Sequence, residues 1–320
     1  MNGAATRVTN PGVRVVPKGA SGPTGEEMAV RVKDLRKHYK GFALKDVSFA
    51  LPRGFVMGLV GPNGSGKTTI ITLIMNLIRP DGGRIEIFGL DHRAHEAEVK
   101  SRIGWVYDVP PFYDDVSLQD TKRAVALFYD GWNEALFREV VSQFQLPMKK
   151  KVKKLSNGMR TKFALALALS HNADLLVLDE PTTGLDPVFR RDLLHGLSGL
   201  LQDESKSILF STHITTDLER IADYVTFLRD GEVTLTASRE ELLEKWGVVR
   251  GDEDALSALD PATRHGIRRH AHGVDVLTSD AAAARASCGG RVIVDPASFE
   301  DIVVLLEEPA APAAEGGRHA

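Results

Sequence analysis

Hydrophobic and polar positions follow two rhythms along this chain. Short β-rich runs recur at 28–33, 46–51, 55–60, 84–88, 103–107, 174–179, 207–211, 224–228 and 232–236. Stretches near 67–78, 117–129, 133–144, 158–170, 187–203, 215–222 and 238–245 carry helical patterns instead. Strands alternating with helices predict a largely parallel sheet covered by helices.

Two regions break the alternation. Residues 108–170 hold helices with no clear strand and read as an all-helical insertion. Within it, FALALALS at 163–170 alternates Leu and Ala in a way that mimics a strand. Both residue types favour helices, so the segment is expected to be a buried helix. Residues 250–307 hold two plausible strands, at 274–277 and 291–295, and two helices, which suggests a small α/β accessory domain. The expected division is a disordered tail at 1–26, a main domain at 27–246, an accessory domain at 247–307 and a second disordered tail at 308–320.

Composition narrows the function class. With 320 residues and 43% hydrophobic content, the chain can build one large α/β core plus something smaller. A net charge of -3 gives no global sign of nucleic-acid binding. KKKVKK at 149–154 lacks interleaved aromatic residues and reads as a solvated loop face. The single cysteine, Cys288, excludes an internal disulfide framework and fits a reducing cytosol. The longest apolar stretch, IITLIMNLI at 70–78, falls far short of the roughly 18 residues that cross a bilayer. Residues 1–26 lack the apolar core of a signal peptide. The chain is therefore expected in the cytosol, and any membrane role needs a partner.

The candidate chemistry begins with GPNGSGKT at 61–68, between the strand-like GFVMGLV and the helix-like TTIITLIMNL. This is the P-loop pattern in the context it requires. Gly61, Gly64 and Gly66 permit a loop whose N–H groups turn inward around a phosphate. The helix starting near Lys67 adds its positive end. Lys67 can reach the β- and γ-phosphates, and the Thr68 hydroxyl can bind Mg²⁺. Pro62, Asn63, Ser65 and Thr69 complete the expected cradle.

A second element is LLVLDE at 175–180, an apolar strand ending in two carboxylates. Burying such a pair without a cation would be costly. Asp179 is expected to hold Mg²⁺, and Glu180 to orient and deprotonate an attacking water. STH at 211–213 ends another β-rich run, where His213 could bond a γ-phosphate or that water.

Taken together, GPNGSGKT at 61–68, LSNGM at 155–159, LLVLDEPTTGLD at 175–186 and STH at 211–213 resemble the ATP-binding subunit of ABC transporters. The resemblance covers about residues 28–246. It implies an α/β fold, a P-loop NTPase core of ABC type with a mixed sheet and a helical subdomain at about 108–170. ATP and Mg²⁺ follow as the implied ligands. LSNGM is similar to the signature usually written LSGGQ, which contacts the γ-phosphate held by another subunit. In it, Ser156 and Gly158 take the phosphate-facing positions, flanked by Leu155, Asn157 and Met159. Asp186 matches the D-loop at the dimer seam, and Tyr39 the aromatic position that stacks on adenine. One P-loop and one signature per chain imply a head-to-tail dimer, here expected to be a homodimer. That dimer would drive a separate polytopic membrane permease from the inner face of the membrane.

Three positions depart from the commonest pattern. Asp108 stands where the family usually has Gln; a carboxylate can still bind Mg²⁺ through water but cannot donate as an amide does. Asn157 and Met159 replace Gly and Gln. Acidic Q-loops and LS-x-GM signatures are similar to a subgroup of bacterial ABC-2-type exporter ATPases, which implies export. The alternative is a soluble ABC ATPase acting on nucleic acid or ribosomes. Such proteins usually carry tandem ATPase domains, long coiled coils or zinc cysteines, which this sequence does not show.

Overall fold

The computed structural model describes residues 28–308 apart from 202, 257 and 289–291. The tails expected at 1–26 and 308–320 lie outside the described residues, except for Glu308.

The centre is a six-stranded sheet. Its order is β10 (Glu232–Ser238), β9 (Tyr224–Arg229), β3 (Val56–Val60), β8 (Ser207–Thr212), β7 (Leu175–Leu178) and β6 (Ile103–Val106). Its neighbours run parallel except β9 and β10. Strands β3, β7 and β8 are buried at every position, as apolar runs covered on both faces must be. Val56 and Val60 face one core, while Met57 and Leu59 face another. Register brings the ends of β3 and β8 together, Val60 opposite Thr212, and those of β6 and β7, Val106 opposite Leu178. The loops after these four parallel strands therefore emerge on one sheet edge. That edge is where ligands sit in open α/β sheets.

One face is covered by α1 (Lys67–Ile74) and a second sheet that the sequence did not separate from the first. This antiparallel layer has the order β2 (Phe42–Pro52), β1 (Met28–Tyr39), β4 (Gly82–Ile87) and β5 (Leu90–Asp91). Its Val30, Leu35, Leu44, Val47 and Ile85 share a core with Ile70, Ile71 and Ile74 of α1. A largely parallel sheet is thus only part of the architecture. The short β runs at 28–33 and 46–51 are fragments of a 12- and an 11-residue strand. A six-residue helix, α2 (Glu96–Ser101), was also not expected.

The other face carries α5 (Asn157–Leu169), α6 (Pro187–Leu200) and α7 (Thr215–Ile221). The alternating FALALALS segment is helical, because α5 is buried along most of its length and both of its faces need apolar side chains. With α3 (Leu118–Ala126) and α4 (Glu134–Gln143) it encloses a separate core of Leu118, Phe137, Val140 and Phe163. Ser117, Asn133 and Ser156 cap the three helices through their side chains. In the lysine-rich segment Val152 is buried, and Lys153 pairs with Asp115 at 2.6 Å.

Helix α8 (Arg239–Lys245) leads to a C-terminal unit with four strands rather than two. They are β11 (Gly247–Gly251), β12 (Arg264–His270), β13 (Gly273–Thr278) and β14 (Ile293–Pro296), antiparallel in the order β12-β13-β11-β14. Its helices are α9 (Glu253–Leu256), α10 (Ala281–Cys288) and α11 (Phe299–Glu307). Val249, Val274 and Val276 pack with Cys288, a buried free thiol, on one side of this sheet. On the other side, Phe299, Ile302 and Leu305 of α11 join the main core beside Leu218 and Ile221 of α7.

Candidate active site

The loop 61–66 leaves β3 and enters α1 through Gly66, whose φ is 110°. A Cβ at Gly61 would lie 2.1 Å from the Leu228 carbonyl oxygen, so only glycine lets the loop rest against β9. The opening N–H groups of α1 have no carbonyl one turn earlier, and its first turn holds no acidic side chain to neutralise them. Ser65 is buried, and its hydroxyl finds no hydrogen-bond partner among the described residues. Lys67 is 6% exposed, and its ammonium donates to the carbonyls of Gly61 (2.7 Å) and Pro62 (3.2 Å). A loop with unspent donors and a buried cation is a site built for an anion.

Asp179, at the end of β7, is wholly buried. Its Oδ1 accepts from the Ser211 hydroxyl at 2.6 Å, while Oδ2 has no partner among the described residues. Burial pushes this carboxyl above the usual carboxylate range. The Ser211 hydrogen bond and the neighbouring Thr68 hydroxyl oppose the rise, the charge of Asp108 adds to it, and Lys67 opposes it. No group of three or more His, Cys, Asp or Glu among the described residues is arranged to hold a metal by itself. Mg²⁺ does not need one, since it usually takes one or two carboxylates and fills its shell with water and phosphate oxygens. The orphaned Asp179 oxygen beside the Thr68 hydroxyl fits that requirement.

Glu180 has φ 47°, a left-handed backbone that a non-glycine residue keeps only when its surroundings force it. Its N–H donates to the Ser211 hydroxyl at 2.8 Å. Its carboxylate reaches in two directions: Oε1 lies 3.7 Å from the Lys67 ammonium, and Oε2 lies 2.9 Å from His213 Nδ1. Ser211 thus fixes Asp179 and Glu180 at once. Ser211 opens the STH segment, but no local pattern in the sequence marks this double role.

Asp108 follows β6 at the same sheet edge and is exposed. The structure therefore gathers Lys67, Thr68, Asp108, Asp179, Glu180 and His213 at one edge. The loop 61–66 and Thr69 lie there with them, whereas the signature, D-loop and aromatic residues lie elsewhere. Ser156 caps α5, accepting from Met159 N at 3.3 Å, while Leu155 is buried in the helical core. Asn157 is exposed, Met159 is half-buried, and a Cβ at Gly158 would meet nothing closer than 3.6 Å. Asp186 caps α6 through Phe189 N at 2.9 Å. Tyr39, 47% exposed, ends β1 with the Lys37 ammonium 5.6 Å from its ring centre.

A family model described as "ABC transporter" matches residues 44–183. The ABC transporter ATP-binding protein YtrB of Bacillus subtilis is 32% identical over 218 residues, 68% of this chain and 74% of its own. The chain belongs to the family of ABC transporter ATP-binding proteins. The Nod factor export ATP-binding protein I of Rhizobium johnstonii is 29% identical over 91% of this chain and 97% of its own length. A solved structure titled as the ATP-binding subunit of an ABC transporter superposes with a TM-score of 0.61, 28% identity, and coverage of 67% of this chain and 91% of that one. The family and the α/β cassette expected from the motifs thus hold for this ABC protein, which is the ATP-binding and ATP-hydrolysing subunit of a transporter. Among its described residues, no helix is long and apolar enough to cross a membrane.

Proposed function

We propose that this ABC subunit powers export, with two copies closing head to tail on two ATP molecules beneath a polytopic membrane permease. The observation that carries the hydrolytic part is Glu180, held between Lys67 at 3.7 Å and His213 at 2.9 Å beside the orphaned Asp179 oxygen. In this reading the P-loop N–H groups and Lys67 bind the triphosphate, and Tyr39 stacks on adenine. Glu180 accepts the proton of the attacking water, while His213 steadies that carboxylate and the γ-phosphate. Thr68 and Asp179, with Asp108 through water, would hold Mg²⁺, which supplies charge neutralisation of the phosphates when bound.

Ser156 and Gly158 would seal the partner's nucleotide. The start of α5 offers a hydroxyl, helix N–H groups and open space at Gly158, and Asp186 would stand at the seam. The permease reading is supported by a groove lined by Trp105, Tyr107, Pro110, Phe112 and Tyr129, with Tyr113, Leu127 and Phe128 more than 80% exposed nearby. Export is supported by likeness to the Nod factor export protein. The place of action would then be the cytoplasmic face of the membrane.

Replacing Glu180 by Gln should preserve ATP binding and slow hydrolysis by about 10²–10⁴-fold. Near-normal turnover would remove Glu180 from the role of base. Pull-down of the full chain from solubilised membranes should retain a polytopic membrane protein; ribosomal RNA or DNA retained at high salt would reverse the assignment.

A further inference from the structure

Behind the reacting groups lies a second buried polar cluster; Thr182 falls within the LLVLDEPTTGLD segment, but the motifs assigned no role to any of its members. Asp217 sits on α7, four residues past His213, and is wholly buried. Its Oδ2 accepts from the Thr182 hydroxyl at 2.6 Å, and Thr182, itself 3% exposed, lies two residues past Glu180. Its Oδ1 accepts from Arg190 Nε at 2.8 Å, with a second guanidinium nitrogen at 2.7 Å. Arg190 lies on α6, one turn past Asp186, and also donates to the Thr216 hydroxyl at 2.8 Å.

Both oxygens of Asp217 are satisfied, so the cluster is a closed joint rather than a ligand site. It fastens three segments: the turn after β7, the start of α6 and the start of α7. The first carries Glu180 and the third follows His213, both at the sheet edge, while the second follows Asp186, the cap of α6. Glu180 needs such fastening, because its left-handed backbone relaxes unless its neighbours over-determine it. A buried carboxylate that keeps only one of its partners is strongly disfavoured, so the three segments move together or not at all.

We propose that Asp217, Thr182 and Arg190 are positioning residues for hydrolysis, a clamp that keeps Glu180 and His213 at their 2.9 Å contact and couples that pair to Asp186. This rests on the reading of Glu180 and His213 as hydrolytic groups. Misplacement of a reacting group by about 1 Å costs roughly 10²-fold in rate. In the full-length chain, Asp217→Asn and Thr182→Val should therefore lower kcat by about 10–100-fold with KM for ATP changed less than about threefold. Thr182→Ser, which restores the donor, should return kcat to within about threefold of the parent. The imidazole ¹⁵N resonances of His213 should shift in Asp217→Asn and Thr182→Val and not in Thr182→Ser. Should Asp217→Asn not fold, the Thr182 pair decides alone. Unchanged kcat in folded Thr182→Val, or equal loss in the Ser and Val variants, overturns the clamp. If Glu180→Gln slows hydrolysis while Thr182→Val does not, the clamp alone fails; if Glu180→Gln is also harmless, the hydrolytic reading falls with it.

Discussion

Asp179 at the proposed nucleotide site and Asp275 in the C-terminal unit are both buried carboxylates, and they are treated in opposite ways. Asp179 keeps one oxygen without a partner and its carboxyl is pushed up by burial. Asp275, 4% exposed, lies 2.8 Å from Arg268, 3.6 Å from Arg250 and 3.3 Å from His270. Burial alone would raise it too, but the hydrogen bonds and charges of Arg268 and His270 outweigh burial and hold it below its ordinary range. The same residue type at similar depth is neutralised by the protein in one region and left wanting a cation in the other. That contrast separates a carboxylate that holds a fold together from one to which the proposed function gives a chemical role.

The contrast breaks first at Asp179. Asp179→Asn should reduce ATP hydrolysis by about 100-fold or more, because the hard anionic oxygen for the metal is lost. The same change should leave the nucleotide-free chain at least as stable at neutral pH, since no unpaired charge remains buried. The sign follows from the direction of the shift: a raised carboxyl favours the folded state at low pH, and that contribution is lost as pH rises through its folded value. Thermal melts of parent and variant across pH 4–8 should show the parent losing this contribution and the variant not. A variant that melts lower at neutral pH would refute the assignment of Asp179 as an uncompensated charge.

Asp275→Asn should do the reverse, lowering stability by about 1–2 kcal/mol with turnover unchanged. The value is modest because its Arg partners are partly exposed. Chemical denaturation and steady-state ATPase rates would check both halves. Since Asp275 is held below its ordinary value, its contribution is present above that value and fades as pH falls through the lowered one.

The smallest expected effect concerns His265, stacked on Trp246 at 4.7 Å, whose burial lowers its pKa. A lowered base favours the folded state above its ordinary value of 6.5 and loses that contribution as pH falls below it. His265→Phe should flatten part of the stability loss between pH 6.5 and 5. Buried His92 and His171 in the cassette are lowered by the same cause and should supply the remainder.

The gathering of Lys67, Glu180 and His213 was largely readable in the sequence because its pattern is local. A phosphate loop needs glycines at fixed offsets before Lys67, and a strand-end carboxylate pair needs an apolar run before it. Helix α5 was readable through propensity even where its period misled. What stayed hidden was made by distant pairing. The antiparallel sheet of β1, β2 and β4 looks in sequence like short strands of a parallel one. Strand β12, RHGIRRH, has a single buried residue, Gly266, pressed against the Leu305 carbonyl, so no alternation marked it. Strand β11 is short and begins immediately after Trp246. Ser211 bridges residues more than thirty positions away, and Asp217 meets Thr182 and Arg190 only through the packing of α6 on α7. No local pattern encodes such meetings.

Helix α11 lies against α7, and Arg229 of β9 donates to the Leu306 carbonyl at 3.1 Å. Cutting the chain after α8 to obtain a minimal motor would therefore strip the cover from Leu218 and Ile221 and leave a greasy seam directly behind the helix that follows His213. A shortened form intended for engineering would need that seam rebuilt with polar side chains before it could be expected to stay monodisperse or keep its catalytic geometry.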